Sequence, residues 1–165
     1  MPNKNILLQC AFSMLMLLSL ISCEKANIDR PLMTANVSGE DWRCAVPTAS
    51  FSDSVFEIRG ESHDGLTIVL RVKSLNTGNF SLTNSKENSA CLIPNKSQHA
   101  YHYRNGKLSK ESYIAITNIN KKKQEISGTF YFEAHHPIDP VTRHVANGKF
   151  QNVRYTTIES AGIVH

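Results

Sequence analysis

Residues 33–156 predict an all-β domain, a single antiparallel meander that closes into a β-sandwich or a barrel. Three observations lead there. Apolar residues recur at every second position, the period that sends one face of a strand inward and the other to water. The runs are separated by short Gly- and Asn-containing turns. No helical stripe of comparable length appears after residue 33.

Taken in chain order, strands are expected near 33–38, 41–46, 54–61, 65–73, 78–83, 88–93, 99–104, 112–119, 124–134 and 143–155. The first two flank Ser38-Gly39-Glu40-Asp41, just before Trp42. Phe56 and Ile58 alternate with Glu57 and Arg59, and beyond His63-Asp64-Gly65, Leu66, Ile68, Leu70 and Val72 alternate with Thr67, Val69, Arg71 and Lys73. Asn76-Thr77-Gly78-Asn79 and Asn105-Gly106-Lys107 supply two further hairpin turns, since Gly and Asn tolerate positive φ. The segment 83–99 has the weakest pattern, and a loop pinned by Cys91 is the alternative there to the strand at 88–93. The strongest run is Glu125 to Ala134, with Ile126, Gly128, Phe130, Phe132 and Ala134 on one face. Strands this closely spaced must curl or stack to cover their apolar side.

The segment before the domain carries an address. Lys4 precedes an apolar run from Ile6 to Ile21, the layout of a secretory signal peptide over 1–22. Gln9, Ser13 and Ser19 interrupt it, and it falls short of the roughly 20 apolar residues of a permanent span. It ends in Leu20-Ile21-Ser22-Cys23, which resembles the lipobox of bacterial lipoproteins. That resemblance implies a diacylglycerol thioether on Cys23, cleavage just before it, and acylation of the new amino terminus. Each buried methylene contributes about 0.8 kcal/mol, so two or three acyl chains anchor firmly. Residues 23–32 then form the lipidated cysteine and a polar tether, and 157–165 a C-terminal tail. The expected location is the bacterial cell envelope, with the outer membrane as the working assignment; Glu24 alone does not decide the leaflet.

Composition narrows the partners. The net charge is +4, and removal of residues 1–22 takes away Lys4 and no acid, leaving 17 − 14 = +3. The cations are scattered apart from Lys121-Lys122-Lys123, so no stripe follows a phosphate backbone and no nucleic-acid partner is expected. The membrane, reached through the anchor, is the expected partner; a protein or small-molecule partner is left unspecified.

With Cys10 in the leader and Cys23 lipidated, Cys44 and Cys91 remain as a candidate disulfide, worth roughly 4 kcal/mol on the chain-entropy model. Two separate thiols are the alternative. His135, His136 and His144 are weak candidates for a metal, since imidazoles at this density bind Zn or Cu. Neighbours in a strand point to opposite faces, however, so His135 and His136 share an ion only if the Pro137–Pro140 stretch bends the chain; His99 and His102 are weaker still. Tyr101 and Tyr103 lie on one face and join Trp42 as a candidate aromatic patch. No nucleophile elbow, phosphate loop or metalloprotease signature appears, and the acids sit mainly in turns or on the outward register, so neither catalysis nor a cofactor is expected.

The order of features resembles a family of lipoproteins of unknown function common in Bacteroidota. Met33-Thr34-Ala35-Asn36-Val37-Ser38-Gly39-Glu40-Asp41-Trp42 is similar to its opening "T-A-x-(I/V)-N-G-x-x-W", with Ser38 at the usual Asn. Thr77 to Leu82, Tyr113 to Phe132 and Ala146 to Val153 resemble its later strands. The resemblance implies anchor and fold and brings no catalytic or ligand residue. The function expected is a non-catalytic envelope lipoprotein that acts as a binding or structural module. The alternatives are a lipocalin-like carrier of a small apolar ligand and a metal-handling protein.

Overall fold

A computed structural model describes residues 30–83, 85–94, 101–102, 112–136, 138 and 140–158. The signal segment, Cys23, His99, Tyr103, the Asn105-Gly106-Lys107 turn and the tail beyond Ile158 lie outside the described residues, as do the side chains of Tyr101 and His102.

The described chain is all β, as the alternation predicts, and contains no helix. Its strands are β1 (Leu32–Val37), β2 (Glu40–Cys44), β3 (Thr48–Ser52), β4 (Val55–Glu61), β5 (Thr67–Lys73), β6 (Gly78–Ser81), β7 (Ser89–Ile93), β8 (Tyr101–His102), β9 (Tyr113–Asn120), β10 (Glu125–His135) and β11 (Thr142–Thr157). They form one sheet in the order β2-β1-β11-β3-β4-β5-β7-β8-β10-β9-β6, and β10 also pairs with β11. The sheet therefore folds over on itself into a sandwich-like body. It is not a regular barrel, because β8 meets β10 through one residue pair, His102 with His135.

Two features depart from a simple antiparallel meander. The sheet is mixed: β3 runs parallel to the last residues of β11, Tyr155 to Thr157. β6 crosses over to β9 instead of forming a hairpin with β5, which pairs with β7. That partner, residues 89–93, falls within the strand expected near 88–93.

β11 organises the fold. One of its edges is covered by β10 along most of its length, while the other is shared by β1 and then β3. Its inward residues are Val145, Gly148, Phe150, Val153 and Tyr155, so the period of two breaks twice. Both breaks are bulges, and Asn147 (φ 52°) and Asn152 (φ 49°) take the left-handed conformation there. The Asn152 N–H donates to the Ser127 hydroxyl at 2.9 Å.

The core collects the inward residues of every long strand, with Met33, Ile58, Leu70, Ile114, Phe132 and Phe150 completely covered. Glycine makes room for rings at three points. A Cβ on Gly60 would lie 2.8 Å from the Trp42 ring, one on Gly128 2.5 Å from Phe150, and one on Gly148 2.4 Å from Phe130. Gly60, Gly128 and Gly148 are thus slots filled by the protein's own aromatic rings.

The pairings also define two ends. At the Leu32 end lie the β3–β4 and β9–β10 turns and the β5–β6 crossover; at the Val37 end lie the β1–β2, β4–β5 and β10–β11 turns.

Candidate functional site

A concavity lies at the Val37 end, between the β1–β2 and β4–β5 turns. The first turn is the expected two-residue hairpin, with Ser38 (φ 53°) and Gly39 (φ 100°) both left-handed. Asn36 fixes it by accepting from the Gly39 N–H at 2.8 Å. This register turns Trp42 inward, where it is almost fully buried.

The second turn is tied to Trp42 through one carbonyl. Leu66 O accepts from Trp42 Nε1 at 2.9 Å, from the Ser62 hydroxyl at 2.9 Å and from the Ser62 N–H at 3.0 Å. The Ser62 hydroxyl also lies against the Asp64 carboxylate. That contact, more than any other, holds the Asp64 carboxyl below its ordinary value, so Asp64 is an anion at neutral pH. Ser62, His63 and Asp64 are consecutive, yet the Ser62 hydroxyl is engaged by Asp64 and Leu66 and not by the imidazole, which gives no nucleophile–base pair.

The cleft between these turns measures about 550 Å³. Trp42, Leu66 and Leu92 supply apolar wall, and Arg43, Arg143 and Asp64 supply charge of both signs. Such a surface can hold a ligand with an apolar body and polar or charged substituents by non-covalent contact. A second, shallower groove of about 650 Å³ lies along β10 and β11, with Tyr113 and Tyr131 paired across strands beside it.

The structure sorts the candidates expected from the sequence. Cys44 and Cys91 are unlinked in this structure, as in the second of the two readings the sequence leaves open. Cys44 points into the core beside Gly60, whereas Cys91 alternates out of phase with the buried Ala90 and Leu92 and so faces the other side of the sheet. Desolvation raises the Cys91 thiol to about 11, opposed by the Arg59 guanidinium. Trp42 is a core residue with its N–H occupied, not an exposed platform for a tyrosine patch.

His135 and His144 are brought together, but around Glu133 and not around His136. Glu133 pairs with His144 across β10 and β11, and its carboxylate lies 3.5 Å from His144 Nδ1 and 4.0 Å from His135 Nε2. Tyr131 donates to the same carboxylate at 3.3 Å, and Thr142 sits 3.1 Å from His135 Nδ1. His136 instead accepts from the Ile138 N–H at 3.3 Å. The carboxylate thus separates the two imidazoles, and among the described residues no three His, Cys, Asp or Glu side chains are placed to hold a metal ion.

Sequence reasoning missed this grouping, although a signal existed. A β10–β11 turn centred between Pro137 and Pro140 pairs 135 with 142 and 133 with 144. Arg143 and Ser62 carried no such signal, because the cleft unites turns far apart in sequence.

The fold and its concavity define an all-β, sandwich-like domain with a mixed-charge cleft at one end. The chain belongs to the family described as Domain of unknown function (DUF6252), whose match spans residues 29–154. No curated protein and no solved structure matches it.

Proposed function

We propose that this chain is an exported bacterial lipoprotein, anchored by diacylglycerol on Cys23, whose β domain is a non-catalytic binding module of the cell envelope. One observation carries the reading: Leu20-Ile21-Ser22-Cys23 closes an apolar leader and stands just ahead of the folded domain, with only residues 24–31 between Cys23 and the first strand at Leu32. Extended, a tether of that length reaches about 25 Å, enough to hold the domain beside a bilayer. The similarity of residues 33–155 to Bacteroidota lipoproteins supports the same reading, with the outer membrane as destination.

The cleft supports the binding half of the proposal. Its polar side chains are used to shape the turns around Trp42, and its wall mixes apolar surface with Arg43, Arg143 and Asp64. Rings occupy the spaces beside Gly60, Gly128 and Gly148, which favours binding at the cleft over binding in a carrier interior.

Growth of a producing bacterium with an alkyne-tagged fatty acid tests the anchor. The wild-type chain is expected to take up the tag and to begin at Cys23 by mass spectrometry, and Cys23→Ser to take up none. Recovery of the wild-type protein with an unmodified Cys23 thiol would overturn the proposal.

A further inference from the structure

We propose that the Leu32 end of the domain docks on anionic phospholipid headgroups through Lys121, Lys122 and Lys123 of the β9–β10 turn. The inference rests on the anchor reading, which sets that end toward the bilayer.

Register supplies the geometry. Leu32, where the tether joins the domain, pairs with Gln151 of β11, while Glu125 pairs with Arg154 on the opposite edge of the same strand. The turn then continues past Glu125, and the Tyr155 N–H donates to Gln124 O at 2.8 Å. The three lysines therefore project beyond the point where the tether enters the sheet, on the side from which the tether comes. The turn is shaped by backbone contacts, with the Lys123 N–H donating to Asn120 Oδ1 at 3.1 Å, and all three lysines are exposed. Their ammonium groups are not needed to make it.

Charge distinguishes this end from the other. At the Leu32 end Lys73 is paired with Glu87, and Arg154 stands across from Glu125. Lys121, Lys122 and Lys123 then outweigh Asp53 of the β3–β4 turn. At the Val37 end the described acids Glu40, Asp41, Glu61, Asp64 and Glu133 outnumber Arg43, Arg59 and Arg143. Exposed apolar side chains occur at both ends, Leu75 and Ile158 at one and Ile138 and Val141 at the other, so they do not discriminate.

A polar pocket of about 400 Å³ beneath the lysine turn adds Arg154, Asn118 and Asn152 beside Lys123, and Glu125 is its acid. Cations and amide donors at that density suit a phosphodiester oxygen. Screening limits the attraction to groups within about 8 Å of the surface, which selects the projecting turn. An anionic surface attracts this end and repels the other, so the domain stands with its mixed-charge cleft facing away from the membrane.

The test compares full-length Cys23→Ser protein with the same chain carrying Lys121→Gln, Lys122→Gln and Lys123→Gln, each sedimented with phosphatidylglycerol or phosphatidylcholine vesicles. Any hydrophobic leader contributes equally to both proteins and cancels. Each lysine is expected to contribute about fivefold, so the parent should prefer phosphatidylglycerol by roughly a hundredfold more than the triple variant, and salt should erase the difference. Equal partition between the two lipids, an unchanged preference in the triple variant, or displacement by inorganic phosphate at constant ionic strength would overturn the inference. The anchor reading is judged separately, by lipid on Cys23 of the wild-type chain, so either can fail alone.

Discussion

The ring of Phe130 on β10 occupies the space that a side chain at position 148 of β11 would fill. The exchange is reciprocal: Phe130 pairs with Gly148, and two residues along Gly128 pairs with Phe150. The two rings stack with centroids 6.4 Å apart and planes 26° apart. Two bulky and two empty positions thus interlock across one strand pair, the complementarity that makes a core specific.

The two glycines should respond differently to alanine. At Gly148 the obstruction is the Phe130 ring, 2.4 Å from the added Cβ, and a side chain can shift at a cost of about 1–3 kcal/mol. At Gly128 it is the backbone oxygen of Ala115, 2.1 Å away, which moves only with β9. Gly128→Ala is therefore expected to cost more than Gly148→Ala in urea unfolding. Phe130→Leu should offset part of the Gly148→Ala loss and little of the other, which a double-mutant cycle measures. Equal costs and equal coupling would contradict this account.

The bulge at Asn152 makes a second prediction. A left-handed φ of 49° costs a β-branched residue about 1–2 kcal/mol, and glycine nothing of that kind. Asn152→Val should lower the unfolding midpoint well below that of Asn152→Gly, even though valine is the better strand former. Either residue keeps the N–H that donates to Ser127, so the reverse order would show that strand preference, and not the left-handed backbone, governs position 152.

These bulges mark where the sequence stops being legible. Between Glu125 and Ala134 the period of two runs unbroken, and every inward residue it predicts is inward. Between Thr142 and Thr157 the same rule fails, since an extra residue at Asn147 and again at Asn152 reverses the facing of the residues beyond each bulge. β3 escaped notice because Thr48-Ala49-Ser50-Phe51-Ser52 has little apolar alternation and is held by its neighbours β4 and β11. The crossover of β6 and the cleft depend on long-range pairing, which no local pattern encodes. Turns were readable at Ser38-Gly39, where two left-handed residues are required.

The two domain cysteines should behave as unlinked thiols of different kinds. Without reductant, denatured protein should be alkylated at both Cys44 and Cys91 by peptide mapping. In the native state Cys44 is buried and should react only on unfolding. Cys91 should react slowly at neutral pH and speed up toward pH 11, because desolvation disfavours its thiolate. Removing the Arg59 charge as Arg59→Gln should slow it further, since that charge favours the thiolate. The folded state holds this proton more tightly than the unfolded one, so the thiol's contribution to stability is intact below about pH 9 and is lost as pH rises toward 11. A Cys44–Cys91 cross-linked peptide would refute the prediction.

Ser62→Ala isolates the turn that faces Trp42. The Ser62 hydroxyl is the main influence holding the Asp64 carboxyl down, so its loss should move the Asp64 titration upward toward the ordinary carboxylate value, as read from its carboxyl carbon by NMR. A depressed carboxyl contributes stability that is present above its unfolded value and lost as pH falls through the folded one. The variant should therefore show a shallower loss of stability on the acid side than the parent. Leu66 O keeps the Trp42 indole and the Ser62 N–H as donors, so the turn itself should survive, with a cost near 1 kcal/mol at neutral pH. An Asp64 titration that is the same in both proteins would mean that the hydroxyl does not govern this carboxylate, and that the backbone N–H groups of Leu66 and Asp64 hold it down instead.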